Sequence, residues 1–209
     1  MTDEQWKAFD KWPKGICIDP HSAKSFFIGW FAVNPRNEII FFHEFPFAPF
    51  YETKIQLGTK GYVEQIEAIE RGDNSFNHPF MNVLWRLMDP NFGPAPSTHS
   101  GQSLQEDFAE FGMWFDCAIN DDLHTRHILV RDRLDKGTIA FTPNCQNLIE
   151  AMERYIHKKG RRDTEQSVSE KVEEAYKDGA DVVGYTVIFD PRWISTDPPK
   201  QTELEDMGI

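Results

Sequence analysis

Cysteine, long apolar runs and nucleotide-binding motifs are what this sequence lacks. Only three cysteines occur in 209 residues, Cys17, Cys117 and Cys145, and no two form a Cys-x-x-Cys pair. This set argues against a disulfide framework or a zinc site and is typical of a reducing cytoplasm. No apolar run approaches the ~20 residues of a membrane span, and the charged start from Met1 to Trp12 is not a secretory signal. No Gly-x-x-x-x-Gly-Lys-Ser/Thr phosphate loop occurs, so we do not expect the chain to hydrolyse ATP.

Positive charge is also scarce. Lys and Arg number 22 against 34 Asp and Glu, a net charge of −12, which opposes attraction to a phosphate backbone. The basic residues concentrate in two groups: Arg126, Arg131 and Arg133, then Lys158, Lys159, Arg161 and Arg162. The charge weakens the case for a nucleic-acid partner without excluding it, because carboxylates in excess are also what a cation site requires.

The pattern of apolar residues predicts three consecutive strands and then alternating helices and strands. The predicted strands are 15–18, 25–33, 38–45, 83–88, 113–119 and 138–141, and the predicted helices are 62–72, 103–111, 121–136 and 144–160. This order favours an α/β fold, a mixed sheet with its first three strands antiparallel and helices on its faces. We expect 1–14 to be a polar lead-in, 15–194 one domain with a charged insertion at 159–178, and 195–209 an acidic tail.

Two predicted strands end in the same way, with an aspartate followed by proline. Asp19-Pro20 closes the first strand and Asp89-Pro90 closes the strand 83–88. Neighbouring strands that end in carboxylates would bring negative charge into one cleft, which a hard cation such as Mg²⁺ or Mn²⁺ would stabilise. The alternative is that each Asp-Pro pair is an ordinary turn.

A third acidic segment, Asp178 to Asp181, precedes the apolar run 182–188. If Asp181 begins a helix, its carboxylate is favoured at the helix N-terminus. The β-branched residues are more typical of a strand, namely Val182, Val183, Thr186, Val187 and Ile188, and Gly184 weakens a helix. The residues alone therefore leave this segment open.

Several segments occur in an order that matches a known domain. They are Gly-Ile-Cys-Ile-Asp19-Pro-His, Glu-Ile-Ile-Phe-Phe-His-Glu44, Leu-Met-Asp89-Pro, Thr-Pro-Asn-Cys-Gln-Asn-Leu-Ile-Glu-Ala-Met-Glu-Arg-Tyr and Asp178-Gly-Ala-Asp181-Val-Val-Gly-Tyr185. Over about 15–189 the chain resembles the nuclease domain of the large terminase subunit of tailed bacteriophages, a member of the ribonuclease H-like superfamily.

The resemblance implies a ribonuclease H-like fold and an endonuclease that cleaves concatemeric double-stranded DNA with two divalent cations, Mg²⁺ or Mn²⁺. Asp19, Asp89 and Asp181 correspond to the three metal-binding catalytic acids, with Asp19 shared by both cations. The resemblance places Asp181 on a helix. Relatives often carry a histidine before the last acid, where this chain has Asp178, as an extra ligand or a solvated turn residue.

The resemblance also implies partners and a location. The partners are double-stranded DNA, the terminase motor (ATPase) domain, the small terminase subunit and the portal, in the cytoplasm of an infected bacterium. Without a phosphate loop, the chain corresponds to an excised nuclease domain or a split subunit.

Other residues carry open alternatives. Glu44 either reaches the acidic cleft or lies at a surface edge. His21 and Lys24 either contact a phosphate or form an exposed turn. The segment of Lys158, Lys159, Arg161 and Arg162 either contacts DNA or is a solvated helix end. His43 and His127 are expected to be packing or surface groups.

Two other functions remain. One is another ribonuclease H-like nuclease, of the resolvase or integrase type. The other is a non-catalytic module that docks on a portal or a partner protein, which the net charge of −12 favours.

Overall fold

A computed structural model describes residues 2–47, 56–96, 101–119, 123–157 and 174–196. The strands are β1 (Lys14–Asp19), β2 (Phe27–Val33), β3 (Ile39–Phe45), β4 (Val83–Met88), β5 (Asp116–Cys117) and β6 (Ile139–Phe141). The helices are α1 (Asp3–Asp10), α2 (Thr59–Arg71), α3 (Leu104–Glu110), α4 (Leu123–Asp135), α5 (Gln146–His157) and α6 (Glu174–Phe189).

The six strands form one mixed sheet in the order β5-β4-β1-β2-β3-β6. β1, β2 and β3 form an antiparallel meander, while β4 pairs parallel with β1, β5 parallel with β4 and β6 parallel with β3. The predicted α/β fold, with its antiparallel first strands and flanking helices, is confirmed.

Each face of the sheet carries its own hydrophobic core. Because successive strand residues point to opposite faces, Ile16 and Ile18 of β1 belong to a core shared with α1, α2 and α3. Cys17, between them, belongs to the core shared with α4, α5 and α6. A Cβ added at Gly29 of β2 would lie 2.9 Å from Cγ1 of Val182, so the absent side chain lets α6 lie directly on the sheet.

Three elements differ from the sequence-based expectation. The polar lead-in contains α1, which begins with a reciprocal cap between Thr2 and Gln5 and buries Phe9. The strand predicted at 113–119 is reduced to Asp116–Cys117, at the edge of the sheet. The last helix begins at Glu174, inside the segment predicted to be an insertion, so Asp181 lies within α6 and does not begin it.

Some predictions fall outside the described residues: most of the insertion, 158–173, and most of the acidic tail, 197–209. The domain limits at 15 and 194 stay predictions. No helix in the described ranges is long and apolar enough to cross a membrane.

Candidate functional site

The two strands that end in aspartate are neighbours and end at the same edge of the sheet. β1 and β4 are parallel, with Ile18 opposite Met88, and the amide of Asp89 donates to the carbonyl of Ile18 at 3.1 Å. Cys17 and Leu87 both face α4, α5 and α6. The aspartates two positions later therefore point to that same face.

Helix α6 brings two more carboxylates to this edge. It packs on β1 and β2. Asp178, Asp181 and Tyr185 are spaced three and four residues apart, which places them on one side of the helix. All three are at least nine-tenths buried. We call Asp19, Asp89, Asp178 and Asp181 the acidic cluster.

The carboxyl group of Asp19 interacts electrostatically with the other three carboxylates of the cluster. The pKa of Asp19 is raised well above its ordinary value, mainly because the carboxyl group is buried. The carboxylates that add to this increase are those of Asp178, Asp181 and Asp89. No hydrogen bond or ion pair from the described residues reaches the Asp19 carboxylate. Asp19 is the member of the cluster that receives no hydrogen bond or ion pair from the described residues, although the charge of Lys177 partly offsets the rise in its pKa.

Asp89 and Asp181 are instead held by donors. Backbone amides of Asn91 and Phe92 donate to Oδ1 of Asp89 at 2.6 and 2.7 Å, and the hydroxyl of Tyr185 donates to Oδ2. Arg126 of α4 donates from Nη1 to Oδ1 of Asp181 at 2.8 Å. Both oxygens of Asp89 and Oδ1 of Asp181 therefore already accept hydrogen bonds.

Arg126 and Tyr185 form one unit between these two acids. The guanidinium carbon of Arg126 lies 4.3 Å from the centre of the Tyr185 ring, a cation–π contact. Burial raises the pKa of Tyr185, as does its hydrogen bond to Asp89, so the phenol stays a donor. The stacked pair thus links Asp181 to Asp89.

Lysines compensate the charge at the other end of the cluster. Nζ of Lys24 lies 2.6 Å from Oδ2 of Asp178, and Nζ of Lys177 lies 3.9 Å from Oδ2 of Asp181. The pKa values of Asp178 and Asp181 are nevertheless raised, because burial outweighs these cations. The protein thus keeps its acids in an environment that disfavours their charge.

The donor set fits a hard divalent cation in its chemistry, since it consists of carboxylate oxygens. Its arrangement is not that of a formed metal site: among the described residues no group of three or more His, Cys, Asp or Glu is placed to hold a metal ion. Arg126 and Tyr185 occupy oxygens that a cation would need.

Other candidate residues have different positions. Glu44 is fully buried and lies neither in the acidic cluster nor at a surface edge. Its carboxylate accepts from the backbone amides of Asn147 and Leu148 at 2.7 and 2.9 Å, at the start of α5. Asn144, the first residue of the predicted helix 144–160, precedes α5, and its side-chain amide donates to Oγ of Ser75 at 3.0 Å. His43 is a buried packing group, as expected.

His21 and Lys24 lie in the turn after Asp19. Nδ1 of His21 accepts from the amide of Ala23 at 2.9 Å, and Lys24 pairs with Asp178. Their predicted contact with a phosphate stays a prediction. The segment of Lys158, Lys159, Arg161 and Arg162 lies outside the described residues.

Arg126 is the residue of this site that the sequence did not reveal as part of it. Its partner Asp181 is 55 residues away in the chain. The one local sign is Gly184, where an added Cβ would lie 2.2 Å from Cδ of Arg126. A glycine inside an apolar helix indicates a close approach without naming the residue that approaches.

Sequence comparison finds no relatives: no family model matches the chain, and no curated protein does. Solved structures do match its fold. The nuclease domain of the P22 large terminase is 12% identical, with a TM-score of 0.59 over 89% of this chain and 85% of that domain. The large terminase from a thermophilic bacteriophage is 14% identical, with a TM-score of 0.55 over 86% of this chain.

The chain spans 39% of the length of the second protein, the large terminase from the thermophilic bacteriophage. At these identities the likeness concerns the fold. The chain has the ribonuclease H-like fold of a terminase nuclease domain.

Proposed function

We propose that this chain is a divalent-metal-dependent DNA endonuclease of the terminase type. The observation that carries the proposal is the convergence of four aspartates at the shared edge of β1 and β4, on a fold like that of terminase nuclease domains. Carboxylates that are buried and poorly compensated raise the energy of the folded chain. Such an arrangement is typical of a site that acts on a ligand.

The proposed site residues are Asp19, Asp89 and Asp181, with Asp178 as an additional acid. Two Mg²⁺ or Mn²⁺ ions, when bound, would activate a water molecule and stabilise the leaving oxygen of the phosphodiester. The carboxylate of Asp19 receives no hydrogen bond or ion pair from the described residues, so Asp19 would be the acid available to hold both ions.

The protein's own groups orient the other acids. The amides of Asn91 and Phe92 and the hydroxyl of Tyr185 fix the plane of the Asp89 carboxylate. A carboxylate fixed in this way loses little conformational freedom when it binds a cation, which favours binding. Asp181 differs, because one of its oxygens is paired with the charged side chain of Arg126 on α4.

The proposed substrate is concatemeric double-stranded viral DNA. The proposed partners are a terminase motor domain, the small terminase subunit and the portal, in the cytoplasm of an infected bacterium.

The test is cleavage of supercoiled plasmid in Mn²⁺ or Mg²⁺. We expect nicking by the wild type, none in EDTA, and a loss of about 100-fold or more for Asp19→Asn or Asp181→Asn, because each removes an anionic ligand. Asp132→Asn, at an exposed position of α4, is the matched control and keeps its activity. Circular dichroism establishes that each variant is folded. Full activity in both site variants would refute the assignment.

The two other functions give different results in the same assay. A resolvase or integrase core prefers branched DNA or strand transfer to linear and plasmid duplex. A docking module, favoured by the net charge of −12, neither cleaves DNA nor binds a divalent cation while it retains its protein partner.

A further inference from the structure

The acidic cluster contains a cation that belongs to the protein. Arg126 is 7% exposed, and its ion pair with Asp181 joins side chains that are 8% and 10% exposed. Most surface ion pairs contribute little, but a pair this buried is coupled strongly to whatever charge lies beside it. The other three carboxylates of the cluster interact electrostatically with Asp181, the partner of Arg126 in this pair.

The helix opposite Arg126 is shaped around the arginine side chain. Gly184 of α6 leaves space that an added Cβ would fill, 2.2 Å from Cδ and 2.6 Å from Cγ of Arg126. The ring of Tyr185 supports the guanidinium from one side. The arginine is therefore built into the site and is not a surface side chain that turned inward by chance.

Arg126 also has hydrogen-bonding capacity to spare. Its Nε is buried and has no hydrogen-bond partner among the described residues. A guanidinium can present five N–H donors, and a carboxylate is often bound through two of them. Here the hydrogen bond recorded between Arg126 and Asp181 involves Nη1 and Oδ1. The pair is thus incompletely satisfied, which makes it easier to separate.

We propose that Arg126 is an internal counter-ion that closes the acidic cluster in the absence of a divalent cation and must leave Asp181 when the cation binds. The inference rests on the proposed function, since it names what a divalent ion competes with at that site. Arg126 is a positioning residue in this role. It keeps the acids together before metal binds and raises the metal concentration that the site requires.

The measurement is Mn²⁺ binding to the full chain, by isothermal titration calorimetry and by the free Mn²⁺ signal in electron paramagnetic resonance. We expect Arg126→Gln to bind Mn²⁺ about tenfold more tightly than the wild type, because a positive charge paired with a proposed ligand, Asp181, has been removed. Arg126→Lys keeps the charge and stays within about threefold of the wild type.

Arg86→Gln is the matched control. Arg86 makes a two-point ion pair with Glu70 at 2.8 and 2.6 Å, away from the acidic cluster. Its loss changes stability but not Mn²⁺ affinity. Thermal unfolding in EDTA and in Mn²⁺ adds a second readout. Arg126→Gln has the lower Tm in EDTA and the larger increase on addition of Mn²⁺, which a purely structural arginine would not produce.

The outcomes separate this inference from the proposed function. If the wild type binds Mn²⁺ and Arg126→Gln binds it equally or more weakly, the counter-ion role is refuted and the nuclease proposal stands. If the wild type does not bind Mn²⁺ but Arg126→Gln does, the counter-ion role is supported and the wild-type chain is no metal-dependent nuclease by itself. If neither protein binds Mn²⁺, both proposals fail.

Discussion

At the scale of the residue, Asp19 stands apart from the other three acids of the cluster. Asp89 accepts three hydrogen bonds, Asp181 pairs with Arg126, and Asp178 pairs with Lys24. Asp19 follows a fully buried stretch of β1 and has the other three carboxylates as its electrostatic neighbours. Its charge therefore opposes folding in the absence of a cation.

The free energy of unfolding of Asp19→Asn tests this cost. Because the pKa of Asp19 is raised in the folded state, its contribution to stability is complete at acidic pH and is lost as the pH rises through the folded-state pKa. Asparagine does not titrate. In EDTA at pH 7.5 we expect Asp19→Asn to be more stable than the wild type by roughly 1–3 kcal/mol, with the difference closing towards pH 4.

Urea unfolding at a series of pH values gives the comparison directly, and Asp132→Asn on the exposed face of α4 provides the control. If the difference in free energy of unfolding between Asp19→Asn and the wild type does not change with pH, the ionised Asp19 does not destabilise the fold. At neutral pH, addition of Mn²⁺ should make the wild type more stable than Asp19→Asn, because only the wild type keeps all four carboxylates for the cation.

Residues of the site were predictable where their signal was local. Asp19 and Asp89 each end an apolar run before a proline, and this pattern is visible in the sequence itself. Arg126 gave no such signal, because its role depends on a contact with α6 across 55 residues. Nothing in α4 itself distinguishes it from the exposed arginine Arg131.

At the scale of the element, a bulge in β3 decides where Glu44 points. Phe31 pairs with Phe41, but the preceding residue Trp30 pairs with His43, so β3 has one additional residue at this position. The bulge changes the phase of the alternation. Phe41 faces the α5 side before it, and Glu44 faces that side after it. Strict alternation would have assigned Glu44 to the other face.

The bulge makes Glu44 the cap of α5. Its carboxylate accepts from two backbone amides of the first turn and from the side chain of Asn147. These buried donors would otherwise lack an acceptor. Burial raises the pKa of Glu44 to about 7, because the cost of burying the charge exceeds the gain from these hydrogen bonds.

We expect Glu44→Ala to lower the free energy of unfolding by about 2–4 kcal/mol at pH 5, since the backbone amides of Asn147 and Leu148 lose their acceptor. The raised pKa of Glu44 means that its contribution is lost as the pH rises through about 7. The penalty should therefore be smaller at pH 8. Glu153→Ala, exposed on the same helix, should have little effect at either pH.

Differential scanning calorimetry at the two pH values, together with urea unfolding, would establish the Glu44 result. If the loss of stability in Glu44→Ala is larger at pH 8 than at pH 5, burial does not raise the pKa of Glu44. Mn²⁺ affinity should be unchanged in Glu44→Ala, because the residue caps α5 and does not belong to the acidic cluster.

The order of strands and helices was predictable because their periodicities are strong. The meander of β1, β2 and β3 and the alternation after it follow from apolar runs and turn residues. Helix α1 and the beginning of α6 were not predictable. α1 is short and polar apart from Trp6 and Phe9, which pack through aromatic contacts with Phe42 and Phe76 from distant parts of the chain. The first described turn of α6, from Glu174, lies in a segment whose charged residues did not predict a helix.

At the scale of the whole molecule, the net charge of −12 and the proposed substrate oppose each other. Part of this charge belongs to the acidic cluster, where a divalent cation would reverse the local potential. The segment of Lys158, Lys159, Arg161 and Arg162 is the densest basic run in the chain. DNA binding by the isolated chain should therefore depend on divalent cations more than on the total charge.

A variant with Asp19, Asp89 and Asp181 all changed to Asn tests this dependence, with Ca²⁺ in place of a cation that supports cleavage. By fluorescence anisotropy with a short duplex at constant ionic strength, Ca²⁺ should tighten wild-type binding by roughly three- to tenfold, because the cation bridges carboxylates and phosphate. The variant should bind more tightly than the wild type in EDTA, having lost three negative charges, and should not respond to Ca²⁺.

A second variant with Asp132→Asn, Asp135→Asn and Glu153→Gln removes the same number of charges from exposed positions. It should gain affinity in EDTA through net charge alone and should still respond to Ca²⁺. Both variants raise the net charge by three, but only the first variant changes the acidic cluster. The comparison therefore distinguishes the effect of net charge from the effect of the cluster. An equal response of both variants to Ca²⁺ would mean that the cation acts through general screening, and that the acidic cluster does not meet the DNA.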